Sequence, residues 1–396
     1  MTDALIDIAT ARERVLSAVT PLTTESVELA AALGRVVAED LASAHDLPPF
    51  DSSAMDGYAV VAGPAAELEV VGESRAGHPA ERALAIGEAI AISTGAQIPE
   101  GADAVVPIER VEVQDGRVRV PETPPGNHVR RAGEDVRAGT VVVRAGSVLG
   151  PAELAVAASV GRDTLVCGRR PRVAVLVTGD ELVGPGVPLG PGQIRDSNTT
   201  ALGAQAQRAG AEVVSREVVP DNRDATTAAL GAALDRADVI CVSGGVSVGP
   251  HDHVKPALHA LGVEERFWGV ALKPGKPTWF GTRGETLVFG LPGNPVSAMV
   301  TFHLFVRPAL RALTGGNPED TRTTGVLDEA VRRNPVRDQV LRCVLSARDD
   351  GWHVQPTKAQ ESHVLTSMVG AGAYALVVAG EGEVPTGERV PIELVF

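Results

Sequence analysis

Five short stretches of this chain hold residues able to bind and transform a phosphorylated ligand. TGDEL carries Thr178, Asp180 and Glu181, and VPDNRD carries Asp221. SGGVSVGPHDH carries Ser243, Gly244, Gly245, Ser247 and Asp252. KPGKP supplies Lys273 and Lys276, and LPGNP supplies Pro292, Asn294 and Pro295. Paired glycines let main-chain N–H groups approach an oxyanion with no Cβ in the way, and the two serines add hydroxyl donors. Asn294–Pro295 opens a helix whose first amides favour an anion. Lys273 and Lys276 can neutralise phosphate, while Asp180, Glu181, Asp221 and Asp252 can hold Mg2+ through carboxylate oxygen and water. No Walker motif or G-x-G-x-x-G follows a strand, which disfavours an ordinary NTPase or dinucleotide oxidoreductase. His251 and His253 read as polar loop residues, because no cysteine or HExxH spacing supports zinc.

The elements that must position these loops follow from Arg172 onward. RVAVLVT is a continuous β-branched run, the signature of a fully buried strand. SNTTALGAQAQRAG predicts a helix, AEVVSREVV a strand, DATTAALGAALDRA a helix and DVICVSG a strand. HVKPALHALG predicts a helix, RFWGVALK and ETLVFG two strands, and NPVSAMVTFHLFVRPALRAL a long helix with Pro295 near its first position. Such alternation implies an open, mostly parallel α/β sheet with right-handed crossovers. In that architecture ligands bind beyond the carboxyl ends of the strands, where each of the chemical stretches falls.

Before this region, Ile6–Leu33 shows helical spacing, with a second short helix predicted over ESVELAAALG. Short β-like runs separated by Gly and Pro occupy Leu68–Val143, and PAELAVAASVG predicts another helix. A linker, TGGNPEDTRTTG, leads to a last module of short strands. The expected division is residues 1–168, a helical base (about 1–50 and 140–168) with an inserted β-rich domain (about 51–139); 169–315, the α/β domain; and 316–396, linker and C-terminal domain.

Composition narrows the function. The 396 residues carry Lys+Arg 36 against Asp+Glu 50, a formal charge of −14, the wrong sign for a generic nucleic-acid or anionic-membrane binder. Aromatics at 3 % cannot build base-stacking platforms. An anionic substrate therefore needs a local basic pocket. Cys167, Cys241 and Cys343 are far apart, so no disulfide framework is expected and a reducing cytoplasm fits best. MTDALIDIATARERVL scatters charges through its length and does not read as a signal peptide, and the longest apolar stretches fall below transmembrane length.

LPPFDSSAMDGYAV, ISTGAQIPEGADAVVPIE, VRRAGEDV, VTGDELVGPG, GQIRDSN, GGVSVGPHDHVK, KPGKP and LPGNPVSA together resemble the molybdopterin molybdotransferase (MoeA) family and the related E domain of gephyrin. The resemblance spans nearly the whole chain. It implies a helical base, a β-rich second domain, an α/β domain of the molybdenum-cofactor adenylyltransferase kind and a C-terminal β-barrel, in an elongated homodimer. It also implies insertion of molybdate into adenylylated molybdopterin with release of AMP, assisted by Mg2+. Asp56 in SAMDGYA, Thr94 in STGA and Asp135 in GED would then reach the site from the neighbouring subunit. Asp56, Asp135, Glu181, Asp221 and Asp252 would serve catalysis, and the KPGKP and LPGNP loops are the candidates for molybdate. Two positions depart from the family pattern: His253 stands where an aromatic is usual, and SHVLTSM, with Ser367, follows its serine-containing pattern only loosely. Adenylylation of molybdopterin is an alternative, but its enzymes carry GGTG where this chain has Gly244-Gly245-Val246-Ser247, and they lack the flanking domains. A non-catalytic scaffold is a further alternative, opposed by the retained acids and lysines.

Overall fold

The computed structural model describes residues 5–246 and 252–395. Its central sheet has six strands: β1 (Arg172–Thr178), β2 (Glu212–Val219), β3 (Val239–Ser243), β4 (Glu264–Trp268), β5 (Trp279–Arg283) and β6 (Thr286–Leu291). Their order is β2-β1-β3-β6-β5-β4; the first four are parallel, and β5 and β4 run antiparallel to their neighbours. The apolar run of β1 is explained by burial on both faces. Val173, Val175 and Val177 pack on one side with the helices Asn198–Arg208 and Pro295–Leu313. Ala174 and Leu176 pack on the other with the helices Arg223–Leu234 and Val254–Ala260. Alternate side chains thus join two different cores, which only a two-sided apolar strand can do.

Two expectations need correction here. RFWGVALK is not one strand: β4 ends at Trp268, and Leu272–Lys273 leaves the sheet to pair with Asp338–Gln339. The sheet instead gains β5, whose Trp279 and Phe280 are buried.

The N-terminal helix Ile8–Leu16 starts at Asp7, whose carboxylate accepts the Thr10 N–H at 2.6 Å. It buries Ile8, Ala11 and Val15 in the core of the α/β region. The helix expected over ESVELAAALG is instead a strand, Thr24–Glu28, antiparallel to Thr164–Gly168, followed by a short 3-10 turn at Leu29–Ala31. Only Val27 of that strand is buried, so no apolar stripe exists to dock a helix, and the distant partner strand decides the conformation. The segment expected to be a helical base is therefore largely short paired strands, with the helix Pro151–Ser159 beside them. A separate six-stranded sheet runs in the order Ala104–Pro107, Gly57–Val60, Glu88–Ile92, Ala66–Ser74, Arg117–Val120 and Glu112–Gln114.

At the C-terminal end five strands close into a barrel. Asp338–Arg348 pairs with Gly351–Pro356, which pairs with Arg322–Leu327, then Arg389–Leu394, then Ala373–Val377, which returns to Asp338–Arg348. Closure leaves no free edge among these strands, and Leu327, Leu341, Cys343, Val354 and Ile392 fill the interior.

The helix Pro295–Leu313 joins these parts. By length and composition it could cross a membrane, but most of it is buried inside the protein. Its middle, Phe302–Val306, is π-helical, one turn before Pro308. Proline has no N–H, so the Leu304 carbonyl four residues earlier loses its helical donor. The Nε–H of Arg12 replaces it at 3.2 Å. The same guanidinium donates through Nη2 to Glu393 Oε1 at 2.6 Å, both side chains being almost fully buried. One arginine thereby ties the N-terminal helix, the long helix and the last barrel strand together.

Burial pushes the Glu393 carboxyl up, but its neighbours His303 and Arg12 outweigh that and hold it below the ordinary value of 4.5. A depressed carboxyl contributes stability that is complete above its unfolded value and lost as pH falls through the folded one. Glu393→Gln leaves Arg12 buried without a counter-charge, so its expected cost at pH 7 is about 3–5 kcal/mol by urea unfolding. The gap between wild type and variant should narrow as pH is taken below 4.5. A cost that does not change with pH would contradict the assignment.

Candidate functional site

A cavity of about 990 Å3 opens beyond the carboxyl ends of β1, β3 and β6. The sheet order arranges its charges. Glu181 follows β1 and Asp221 follows β2, both on the β2 side of the sheet; Lys273 and Lys276 lie between β4 and β5, toward the opposite edge. Gly244 and Gly245 after β3, and Pro292, Asn294 and Pro295 after β6, line the cavity between them. Asp252 and Thr178 also line it. Glu181 and Asp221 thus enter from loops on one side of the strand order and the two lysines from the other, with Asp252 after β3, within a chain whose overall charge is negative.

The other expected residues fall elsewhere. Asp180 is not among the described lining residues; its carboxylate accepts the Asp221 N–H at 3.0 Å, and its own N–H donates to Asp221 at 3.3 Å. This reciprocal pair clamps the β1 and β2 loops together. Asp56 accepts the Thr94 N–H at 2.7 Å, and Asp135 donates its N–H to the Leu47 carbonyl at 3.0 Å. None of these three lines the cavity of its own chain. Ser247 and His251 lie outside the described residues.

Under the cavity, Asn198 Nδ2 donates to Ser243 Oγ at 2.9 Å and to the Gly293 carbonyl at 2.8 Å. Ser243 Oγ donates in turn to the Pro292 carbonyl at 2.9 Å. The Ser243 hydroxyl is thus used in joining the ends of β3 and β6. Gly244 and Gly245 sit at φ +91° and +65°, where side chains are strained. A Cβ on Gly244 would fall 2.8 Å from Thr178 Oγ1, and one on Gly245 would fall 2.7 Å from Val254 Cγ2. Glycine is demanded there by the protein's own packing as well as by any close approach of a ligand.

Sequence reasoning missed an entire wall. Arg337, Gln339 and Arg342, with Gln360–His363, reach the cavity from the C-terminal region. Arg342 is buried and meets no carboxylate. Nη1 donates to the Gln360 carbonyl at 3.2 Å, Nη2 to those of Ala359 at 3.0 Å and Glu361 at 3.3 Å, and Nε to Ser367 Oγ at 3.2 Å. Its role is to hold this loop in shape; burial lowers the guanidinium pKa from its ordinary value. Asn294 Nδ2 then donates to Ser362 Oγ at 2.9 Å, joining the loop to the α/β rim. A charged residue inside the alternating apolar run LRCVLSAR was the available signal. Arg195, Asp196 and Asn198, in GQIRDSN, also line the cavity and were quoted only for the resemblance.

Among the described residues no group of three His, Cys, Asp or Glu side chains gathers as a ready metal site. Mg2+ commonly takes only one or two protein carboxylates and completes its shell with water and substrate phosphate. Glu181, Asp221 and Asp252 on one cavity fit that manner of binding.

Gly245→Ala places Cβ against Val254 on a left-handed backbone, so an expected loss of about 1–3 kcal/mol should appear in urea unfolding with no ligand present. Unchanged stability would show that the glycine serves the ligand alone.

Three regions match family descriptions: residues 6–161 match the MoeA N-terminal region (domain I and II), 174–312 a probable molybdopterin binding domain, and 324–395 the MoeA C-terminal region (domain IV). A molybdopterin molybdenumtransferase of Haemophilus influenzae is 37 % identical over 381 residues, covering 94 % of each chain. Molybdopterin molybdenumtransferase 2 of Mycobacterium tuberculosis is 40 % identical over 338 residues, covering 81 % of this chain and 83 % of its own. The crystal structure of the molybdopterin biosynthesis MoeA protein from Pyrococcus horikoshii superimposes with a TM-score of 0.83 at 33 % identity, covering 99 % of both chains. By sequence along its whole length and by fold, the chain belongs to the MoeA family.

Proposed function

We propose that this protein is a molybdopterin molybdenumtransferase, inserting molybdate into adenylylated molybdopterin with release of AMP and of molybdenum cofactor. The observation that carries this reading is the cavity, which gathers the glycine loop, both lysines and five carboxylates, Glu181, Asp221 and Asp252 among them, and has room for a pterin nucleotide. The α/β region is read as a domain of the molybdenum-cofactor adenylyltransferase kind.

In this reading Lys273 and Lys276 neutralise the incoming molybdate dianion. The amides around Gly244 and those opening the helix at Pro295 donate to the phosphates. Asn294 and Arg342 keep the Gln360–His363 loop against the ligand. One or two of Glu181, Asp221 and Asp252 would hold Mg2+ together with water and substrate phosphate, and the ion would polarise the pyrophosphate and offset negative charge on the departing AMP. Asp252 orients the attacking water. A homodimer completes the site: Asp56, Thr94 and Asp135, which lie away from the cavity of their own chain, serve that of the neighbour. The cytoplasm is the proposed compartment, in keeping with three buried, unpaired cysteines.

The purified protein should release AMP from adenylylated molybdopterin only when molybdate and Mg2+ are both present; AMP release without molybdate, or binding with no turnover, would contradict the reading. Asp252→Ala should lower turnover at least ~10²-fold with the fold intact by circular dichroism. Lys276→Ala should raise the molybdate concentration needed for half-maximal rate about tenfold or more, the equivalent of losing one charge-assisted contact.

A further inference from the structure

A second cavity, of about 220 Å3, lies on another part of the molecule, between the C-terminal turn of the helix Asn198–Arg208, the long helix and the start of the barrel. Its walls present three arginines, Arg208, Arg307 and Arg311, against a single carboxylate, Asp320. His303, Arg307 and Arg311 are spaced four residues apart and so share one face of the long helix. Asp320 is divided between two of the cations, at 2.5 Å from Arg307 and 3.1 Å from Arg311. Among the described residues the Arg208 side chain makes no hydrogen bond or ion pair. Burial pushes the His303 imidazole pKa down, so it adds no fixed charge near neutrality. In a chain of −14, three guanidinium groups thus share a single carboxylate at this place.

Three buried atoms of the residues around it also lack hydrogen-bond partners, the Nε–H of Arg311, Oε1 of Gln205 and Nε2 of His303, but they are closed off from the cavity itself. The Gln205 amide is oriented by its other end, whose Nε2 donates to the Met299 carbonyl at 3.1 Å. Guanidinium forks suit a tetrahedral oxyanion. The volume holds such an ion with a few waters, at about 30 Å3 each, and is far too small for a nucleotide.

We propose that this cavity is a binding site for a tetrahedral oxyanion of the phosphate class, held by Arg208 and Arg311 and separate from the large cavity.

The test is calorimetric titration of inorganic phosphate, and separately of sulfate, into the full chain and its Arg208→Gln and Lys276→Gln variants at pH 7. Arg208 lies on the surface, so its replacement should leave the fold intact. Phosphate affinity is expected to fall at least tenfold in Arg208→Gln and to persist in Lys276→Gln, and sulfate, an oxyanion of the same shape, to follow the same pattern. Absence of saturable phosphate binding, or its loss in Lys276→Gln with retention in Arg208→Gln, would overturn the site.

Discussion

A single buried guanidinium holds this molecule in register. Arg12 stands where a proline deprives the long helix of one hydrogen bond, and it uses that freed carbonyl together with a carboxylate from the last barrel strand. Neither partner is dispensable, because a buried charge or carbonyl left unpaired costs several times what a satisfied one contributes. The consequence reaches the large cavity. Its wall from Arg337 to His363 belongs to the C-terminal region, so it is in place only while that region is docked on the α/β helices. Leu272–Lys273, pairing with Asp338–Gln339, makes a second link between the same two parts, and it carries one of the lysines.

The distribution of charge in that cavity follows from topology. In a doubly wound sheet the carboxyl ends of neighbouring parallel strands share one rim. Because β2 and β1 lie toward one edge and β5 and β4 at the other, the acids and the lysines come from opposite directions and meet across the glycine and proline loops. Arg195, on the strand paired with Leu182–Val183, adds a cation beside the acids, so both signs of charge line the cavity.

How far the sequence alone led can be judged element by element. The parallel strands were legible because burial on both faces forces a continuous apolar run, and the rim loops because glycine, proline and charge interrupt such runs at the same end. The chain around ESVEL was misread because its spacing suits a helix, whereas its conformation is set by a strand some 140 residues away. Arg12 gave no signal, since its partner Glu393 is 381 residues distant. The Gln360–His363 wall was missed for the same reason: local pattern reports which face of an element is buried but not which module will cover it. The roles of Ser243 and Asp180 also became specific only in three dimensions, where each joins two loops that are separated in sequence.

Molybdenum-edge anomalous diffraction from crystals holding adenylylated molybdopterin, molybdate and Mg2+ would test the central claim most directly. The account predicts a molybdenum peak at the lysine-bearing end of the large cavity, against Lys273 and Lys276, with the pyrophosphate toward Gly244 and the acids. A peak at the end bearing Glu181 and Asp221, or one outside this cavity, would contradict it.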